Sequence, residues 1–372
     1  MHPFQRLIAD TIRREGPLTF ARYMDLALYH PQFGYYMRGG DQFGEEGDFV
    51  TAPTLSPLLA RALAEAAHDA WSALGRGRFR LVEYGPGRGE LMRDLLAYLA
   101  AEYPELFERA EAVLVEVSPA LARRQRETLA PWPGKVAWAG APVDASDGMV
   151  IANEFVDALP CHRVRTGPGG LSELYVGEED GCLVWVEGPL SDQAVETLAA
   201  TGLELPPGHA AEVCPAARSW LAEAARWLER GFLLVVDYGM EEAALLDPAR
   251  AGGTVRSFRR HRLVGDVLSA PGQQDITAHV NFSTLARWGR ESFGHPSVYT
   301  TQGRFILHSG ILERLARGDS FVHDEQRYRL AEQMKMLMLP GGMGEIFKVM
   351  AFYRGDEPVP VLRGMAGARA LP

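Results

Sequence analysis

Cysteine is scarce. Cys161, Cys182 and Cys214 are far apart and odd in number, so no disulfide framework is suggested. No Cys-x-x-Cys pair occurs, which leaves a zinc knuckle without its ligands. This usage fits a reducing compartment, and the chain is expected to be cytoplasmic. Positive charge is also in short supply. Lys and Arg number 38 against 48 Asp and Glu, a net charge of −10, and no basic tract stands out. Tight nonspecific grip on nucleic acid needs many phosphate contacts, so nucleic acid is not an expected partner. Long apolar runs are missing too. Met1 to Gly16 carries charges throughout and lacks the core of a secretory signal. No stretch approaches the roughly 20 apolar residues of a membrane span, and no integral membrane segment is expected. At 372 residues the chain is long enough for one large core or two modest ones.

What is present is alternation. Residues 4–30 read as two helices split by Gly16-Pro17, with Phe20, Met24 and Leu28 at helical spacing. A long aromatic and glycine-rich loop follows, then a helix over 56–74. Strands are expected at 80–84, 112–117, 135–138, 148–152, 231–237, 298–301 and 346–352, with helices after the first two at 89–100 and 120–129. Repeated β-α-β alternation predicts a doubly wound α/β sheet. The interruption at 166–229 contains a hairpin signal, Glu178-Glu179-Asp180-Gly181, between two apolar segments. The expected organisation is therefore 1–55 as N-terminal helices and loop, 56–165 as the first part of a core, 166–229 as an inserted subdomain, and 230–372 as the rest of the core. An irregular stretch is expected at about 250–282.

The first strand runs into Glu83-Tyr84-Gly85-Pro86-Gly87-Arg88-Gly89. In open α/β sheets ligands bind at the carboxyl ends of strands. Glycines there let the backbone approach a ligand closely. A dinucleotide fingerprint wants G-x-G-x-x-G; Gly85, Gly87 and Gly89 instead follow G-x-G-x-G behind an acid. Glu116, at the end of the second strand, can accept the hydroxyls of a ribose. That supports an adenosine ligand without choosing between S-adenosylmethionine and NAD. Glu83 can help hold the far end of such a ligand, directly or through water, and Asn153 at the end of the fourth strand is grouped with it.

Asn153-Glu154-Phe155-Val156-Asp157 follows the fourth strand. If the reaction is methyl transfer to nitrogen, the protein must align a nucleophile and shape the local field. A protonated amine or guanidinium must also lose a proton, and carboxylates can orient it and accept one. Glu154 and Asp157 are the candidates, with Asp48 and Asp237 behind them. Each has a structural reading as well: Asp157 as a helix cap, Asp48 and Asp237 as turn acids. Asp275 and His279 fall four apart, but their segment reads as loop and no metal is expected.

The chain resembles the MidA family of S-adenosylmethionine-dependent methyltransferases, which includes the mitochondrial complex I assembly methyltransferase. The matching pieces run in order along most of the sequence: Gly16-Pro17 with Tyr23-Met24, His30 to Tyr36, Gly47 to Pro53, Val82 to Gly89, Val115 to Pro119, Asn153 to Pro160, Asp237-Tyr238-Gly239, Asp275 to Val280, Thr301-Gln302-Gly303 and Met343 to Lys348. Tyr84, Val156, Thr54 and Asn281 depart from the usual residues, and the last two replace carboxylates on the presumed substrate side. The resemblance implies a Rossmann-like seven-strand sheet with inserted elements and S-adenosyl-L-methionine as cofactor. For the mitochondrial relative it implies arginine methylation on a complex I subunit, which makes an arginine-containing protein, such as a complex I subunit, the expected substrate here. The alternatives are a small-molecule methyltransferase and a cofactor-binding assembly factor without turnover. Methylation of DNA amino groups is disfavoured, because the Asn/Asp-Pro-Pro-aromatic motif of those enzymes has no counterpart at Asn153-Glu154-Phe155-Val156. A nicotinamide oxidoreductase is the other use of such a sheet. The sequence leaves the oligomeric state open.

Overall fold

A computed structural model describes residues 2–38, 56–259, 262–317, 324–339 and 341–371. The chain divides into two compact units. The sheet unit comprises residues 50–156, 221–239 and 286–372; the segmented unit gathers 1–49, 157–220 and 240–285.

The sheet unit is built on β1 (Phe79–Tyr84), β2 (Ala110–Val115), β3 (Val136–Ala139), β4 (Ser146–Asn153), β5 (Leu228–Met240), β6 (Ser297–Thr301), β7 (Phe347–Arg354) and β8 (Arg369–Leu371). Their order across the sheet is β8-β6-β7-β5-β4-β1-β2-β3. The pairs among β1 to β5 are parallel, whereas β7 runs antiparallel to both β5 and β6. The expected seven strands are all present. The structure adds the edge strand β8 and places β7 between β5 and β6. The chain order reverses at the β1–β4 pair, which makes their carboxyl ends the switch point where ligands bind in such sheets.

Apolar strands such as Leu233–Val236 are buried on both faces, as a central parallel strand requires. Helix Leu58–Ala73 turns Leu59, Leu63 and Ala67 into the same core as Leu81, Met149 and Leu234. Each buried leucine there contributes about 1.5–3 kcal/mol. The helix also buries one carboxylate completely. Glu65 accepts from the Tyr98 and Tyr103 hydroxyls at 2.6 and 2.7 Å and pairs with Arg314 and Arg363, each at 2.8 Å.

The segmented unit starts with helix Pro3–Glu15, where Phe4, Ile8 and Ile12 form a buried stripe and Gly16, at φ 89°, ends the helix. Thr19 caps the next helix, Phe20–Tyr29, through the Arg22 N–H at 3.2 Å. Strand Gly170–Glu179 pairs with His162–Gly167 and Cys182–Gly188, and its outer residues Tyr175 and Val176 pair with Thr19 and Leu18. The expected hairpin is therefore present. The stretch expected to be irregular instead holds a small antiparallel sheet of Arg256–Arg259, Arg262–Val264 and Asp275–Thr277. Its strands are three or four residues long and mix charged with apolar side chains, too short for a period to show.

Candidate active site

The turn after β1 has the backbone its glycines allow. Gly85, Gly87 and Gly89 lie at φ 58°, 53° and 82°, all in the left-handed region. A Cβ on Gly85 would stand 2.8 Å from the Phe155 ring. Gly89 opens helix Glu90–Glu102. The N-terminal end of that helix favours negative or acceptor groups of a ligand.

Two buried oxygens at the switch point have no hydrogen-bond partner among the described residues: Glu83 Oε2 on β1 and Asn153 Oδ1 on β4. Burial pushes the Glu83 carboxyl up to about 8, and the Glu116 carboxylate adds to the rise. Glu116 stands one residue beyond β2. Its Oε1 accepts from the Ser118 N–H at 2.7 Å and its Oε2 from the Gln125 amide at 2.9 Å. Burial raises its pKa as well, against these hydrogen bonds, which lower it.

Sequence reasoning missed Gln125. It is fully buried in helix Pro119–Thr128 and bonds to Glu116, the Gly87 carbonyl and Trp138. A signal was available. Leu121, Gln125 and Leu129 repeat every four residues, and all three are buried. A glutamine on such an inward stripe needs polar partners.

Glu154 is one of three non-glycine residues at positive φ among the described residues, at 49°. Its N–H donates to the Val236 carbonyl at 2.9 Å. Such a conformation costs on the order of 1 kcal/mol or more and persists only where its surroundings impose it. Asp237, fully buried on β5, accepts from the Val156 N–H at 2.9 Å and from the Tyr238 N–H at 2.8 Å. Its carboxylate thus holds the end of the Asn153–Val156 loop. Tyr84 donates to Glu223 at 2.8 Å and accepts from the Trp227 indole at 3.0 Å.

Asp157 belongs to the segmented unit and is buried there. Its carbonyl accepts from the Ala278 N–H at 3.0 Å. Nearby, Tyr36 donates to buried Asp275 at 2.7 Å and stacks on Tyr29 with ring centroids 5.6 Å apart. Burial raises the Tyr36 hydroxyl well above its usual value, and Asp275, Tyr29 and Asp157 all push the same way. The His30-to-Tyr36 and Asp275-to-Val280 motifs, which carried no role in the sequence, therefore meet around Asp157. Asp48 and Thr54 lie outside the described residues.

Residues 62–300 match the model of a family described as S-adenosyl-L-methionine-dependent methyltransferases. The chain is 32% identical to protein arginine methyltransferase NDUFAF7, mitochondrial, of Mus musculus, over 94% of this chain and 84% of the relative. The Homo sapiens protein of that name is also 32% identical, over 94% and 83%. A crystal structure of a COG1565 superfamily member from Burkholderia thailandensis, bound to S-adenosyl-homocysteine, superposes with a TM-score of 0.88 at 36% identity, covering 98% of this chain and 95% of that one.

These matches correct one expectation. The relatives are named as mitochondrial proteins, which conflicts with the cytoplasmic placement drawn from cysteine usage. Three cysteines speak to redox conditions and carry no address. Among the described residues, no helix is long and apolar enough to cross a membrane.

The residues present fit the cofactor. The glycine turn leaves room along the backbone, Glu116 is oriented by two donors, and Glu83 and Asn153 offer buried acceptors to an ammonium group. The chain belongs to this methyltransferase family and is an enzyme that uses S-adenosyl-L-methionine.

Proposed function

We propose that this enzyme methylates an arginine side chain of a partner protein, and that the partner is a subunit of respiratory complex I. The observation that carries the arginine reading is the match to proteins named arginine methyltransferases at 32% identity over 94% of the chain. The complex I subunit follows from the family resemblance alone. The acidic net charge suits a cationic substrate.

When bound, the cofactor supplies an electrophilic methyl group on a sulfonium. Gly85, Gly87, Gly89 and Glu116 hold its adenosine side, and Glu83 and Asn153 its amino-acid side. Glu154 and Asp157 act on the substrate. A guanidinium nitrogen has no lone pair to offer while protonated. A carboxylate beside it orients the group and takes the proton as the new nitrogen–carbon bond forms. The left-handed backbone at Glu154 sets the direction of that side chain, and Asp237 holds the loop that carries it. Asp48 is assigned to the substrate side by position in sequence.

The test compares arginine-methylated peptides by mass spectrometry in cells with and without this chain, complemented by Glu154→Gln and Asp157→Asn. The expected result is a methyl mark that disappears with the gene and returns with the wild type only, while both variants still bind S-adenosyl-homocysteine in calorimetry. An unchanged set of protein-arginine marks would overturn the proposal. Full rescue by both variants would remove these carboxylates from the chemistry.

A further inference from the structure

Gln125 connects three parts of the sheet unit that the sequence keeps apart. Its Nε2 donates to the Gly87 carbonyl at 2.9 Å and to Glu116 Oε2 at 2.9 Å, and its Oε1 accepts the Trp138 indole N–H at 2.9 Å. The indole can only donate. It therefore fixes which end of the amide is oxygen, and both amide hydrogens are left to face acceptors. Every polar atom of this fully buried side chain is used. Arg126 covers a face of Trp138, its guanidinium carbon 4.7 Å from the ring centre.

We propose that Gln125 is a positioning residue for the adenosine half of the cofactor. It sets the tilt of the Glu116 carboxylate and the carbonyl of the glycine turn with one amide that Trp138 keeps from flipping. The proposal rests on Glu116 being the ribose-binding acid. With Oε1 held by the Ser118 N–H and Oε2 by Gln125, the carboxylate cannot rotate, and its remaining lone pairs keep one direction. Methionine has nearly the same length and shape as glutamine but no donors. Gln125→Met would leave Glu116 Oε2 without its amide donor and the Gly87 carbonyl without its amide.

The experiment is a double-mutant cycle read by calorimetry on the full chain, using Gln125→Met, Glu116→Gln and the pair. The probes are S-adenosylhomocysteine and 5′-methylthioadenosine, which lacks the amino-acid half. Gln125→Met is expected to weaken both probes by the same factor, about tenfold, the worth of one charge-assisted hydrogen bond. In the Glu116→Gln background the same substitution should cost much less, because its main partner has changed. A merely structural glutamine would give equal losses in both backgrounds, and that result would overturn the proposal. So would an unchanged affinity in Gln125→Met. If Glu116→Gln itself binds methylthioadenosine like the wild type, the ribose reading fails first and the proposal falls with it. Should Gln125→Met not fold, Gln125→Glu decides. It keeps an acceptor for Trp138 but sets a carboxylate against Glu116, so affinity should be low at neutral pH and recover on acidification, when the protonated acid can donate. An affinity that ignores pH, once corrected for the wild-type profile, would overturn the proposal.

Discussion

The sheet unit has strands of up to thirteen residues with apolar centres and joins β1 to β2 and β2 to β3 through helices. The segmented unit assembles short antiparallel strands from three separate stretches of chain and relies on aromatic packing, such as Phe4 stacked on Phe33 at 5.2 Å. In the first, Glu83, the glycine turn, Glu116 and Asn153 sit where strands end, so local sequence places them. In the second, Asp157 meets Tyr36 and Asp275 through contacts between residues more than a hundred positions apart. The strand-end residues are thus placed by local sequence, and the acid environment of Asp157 by distant pairings.

The largest expected break falls on the sheet unit. Glu65→Ala would strip a fully buried carboxylate from two hydroxyls and two guanidinium groups. Removing one member of a buried ion pair costs about 3–5 kcal/mol. Both arginines here are partly exposed, so about 3 kcal/mol is expected, read as a lower midpoint in urea unfolding. Next comes Gly87→Val. A β-branched residue at φ 53° is strained and would crowd the ligand. The strain lowers stability, and the crowding should weaken affinity for S-adenosyl-homocysteine about 10- to 100-fold in calorimetry, the equivalent of about 1–3 kcal/mol of overpacking.

A pH-dependent effect separates the two kinds of buried acid. Glu83 has a folded pKa of about 8 against an ordinary 4.5, so the folded chain holds a proton that the unfolded chain has released. The stability linked to this proton is full below about pH 4.5 and is lost as pH rises through about 8. The thermal midpoint of the ligand-free protein should therefore drop across that window, and Glu83→Gln should flatten the drop. An unchanged slope would mean that Glu83 stays charged when folded. The smallest effect belongs to the surface of the segmented unit. Arg13 pairs with Glu178 at 2.7 Å, but it is half exposed. Arg13→Ala should leave the melting temperature nearly unchanged. A clear loss would show that this unit depends on its surface pairs.

Much of the sheet was legible because each strand is an apolar run closed by a turn or an acid. The exchange of β6 and β7 was not, since strand order is set by long-range pairing and leaves no local pattern. Edge strand β8, three residues long, falls below any recognisable period. The place of Glu83, the three glycines and Glu116 at strand ends was legible, because each follows or closes an apolar run. Gln125 escaped because a polar residue inside a helix reads as surface until its spacing with Leu121 and Leu129 is weighed. Asp237 was recognised as a strand-end acid, but a sequence cannot say that two backbone N–H groups occupy it.

The pairing of Leu18 and Thr19 with Val176 and Tyr175 sets a timetable as well as a geometry. A ribosome adding about 5–20 residues per second needs roughly 8–30 s to travel from one partner to the other. During that interval the first two helices present Phe4, Ile8, Phe20 and Met24 while the Gly170–Glu179 strand that pairs beside them has yet to be made. The nascent chain therefore carries an uncovered apolar surface early in synthesis, for a reason that the stability of the finished enzyme does not measure.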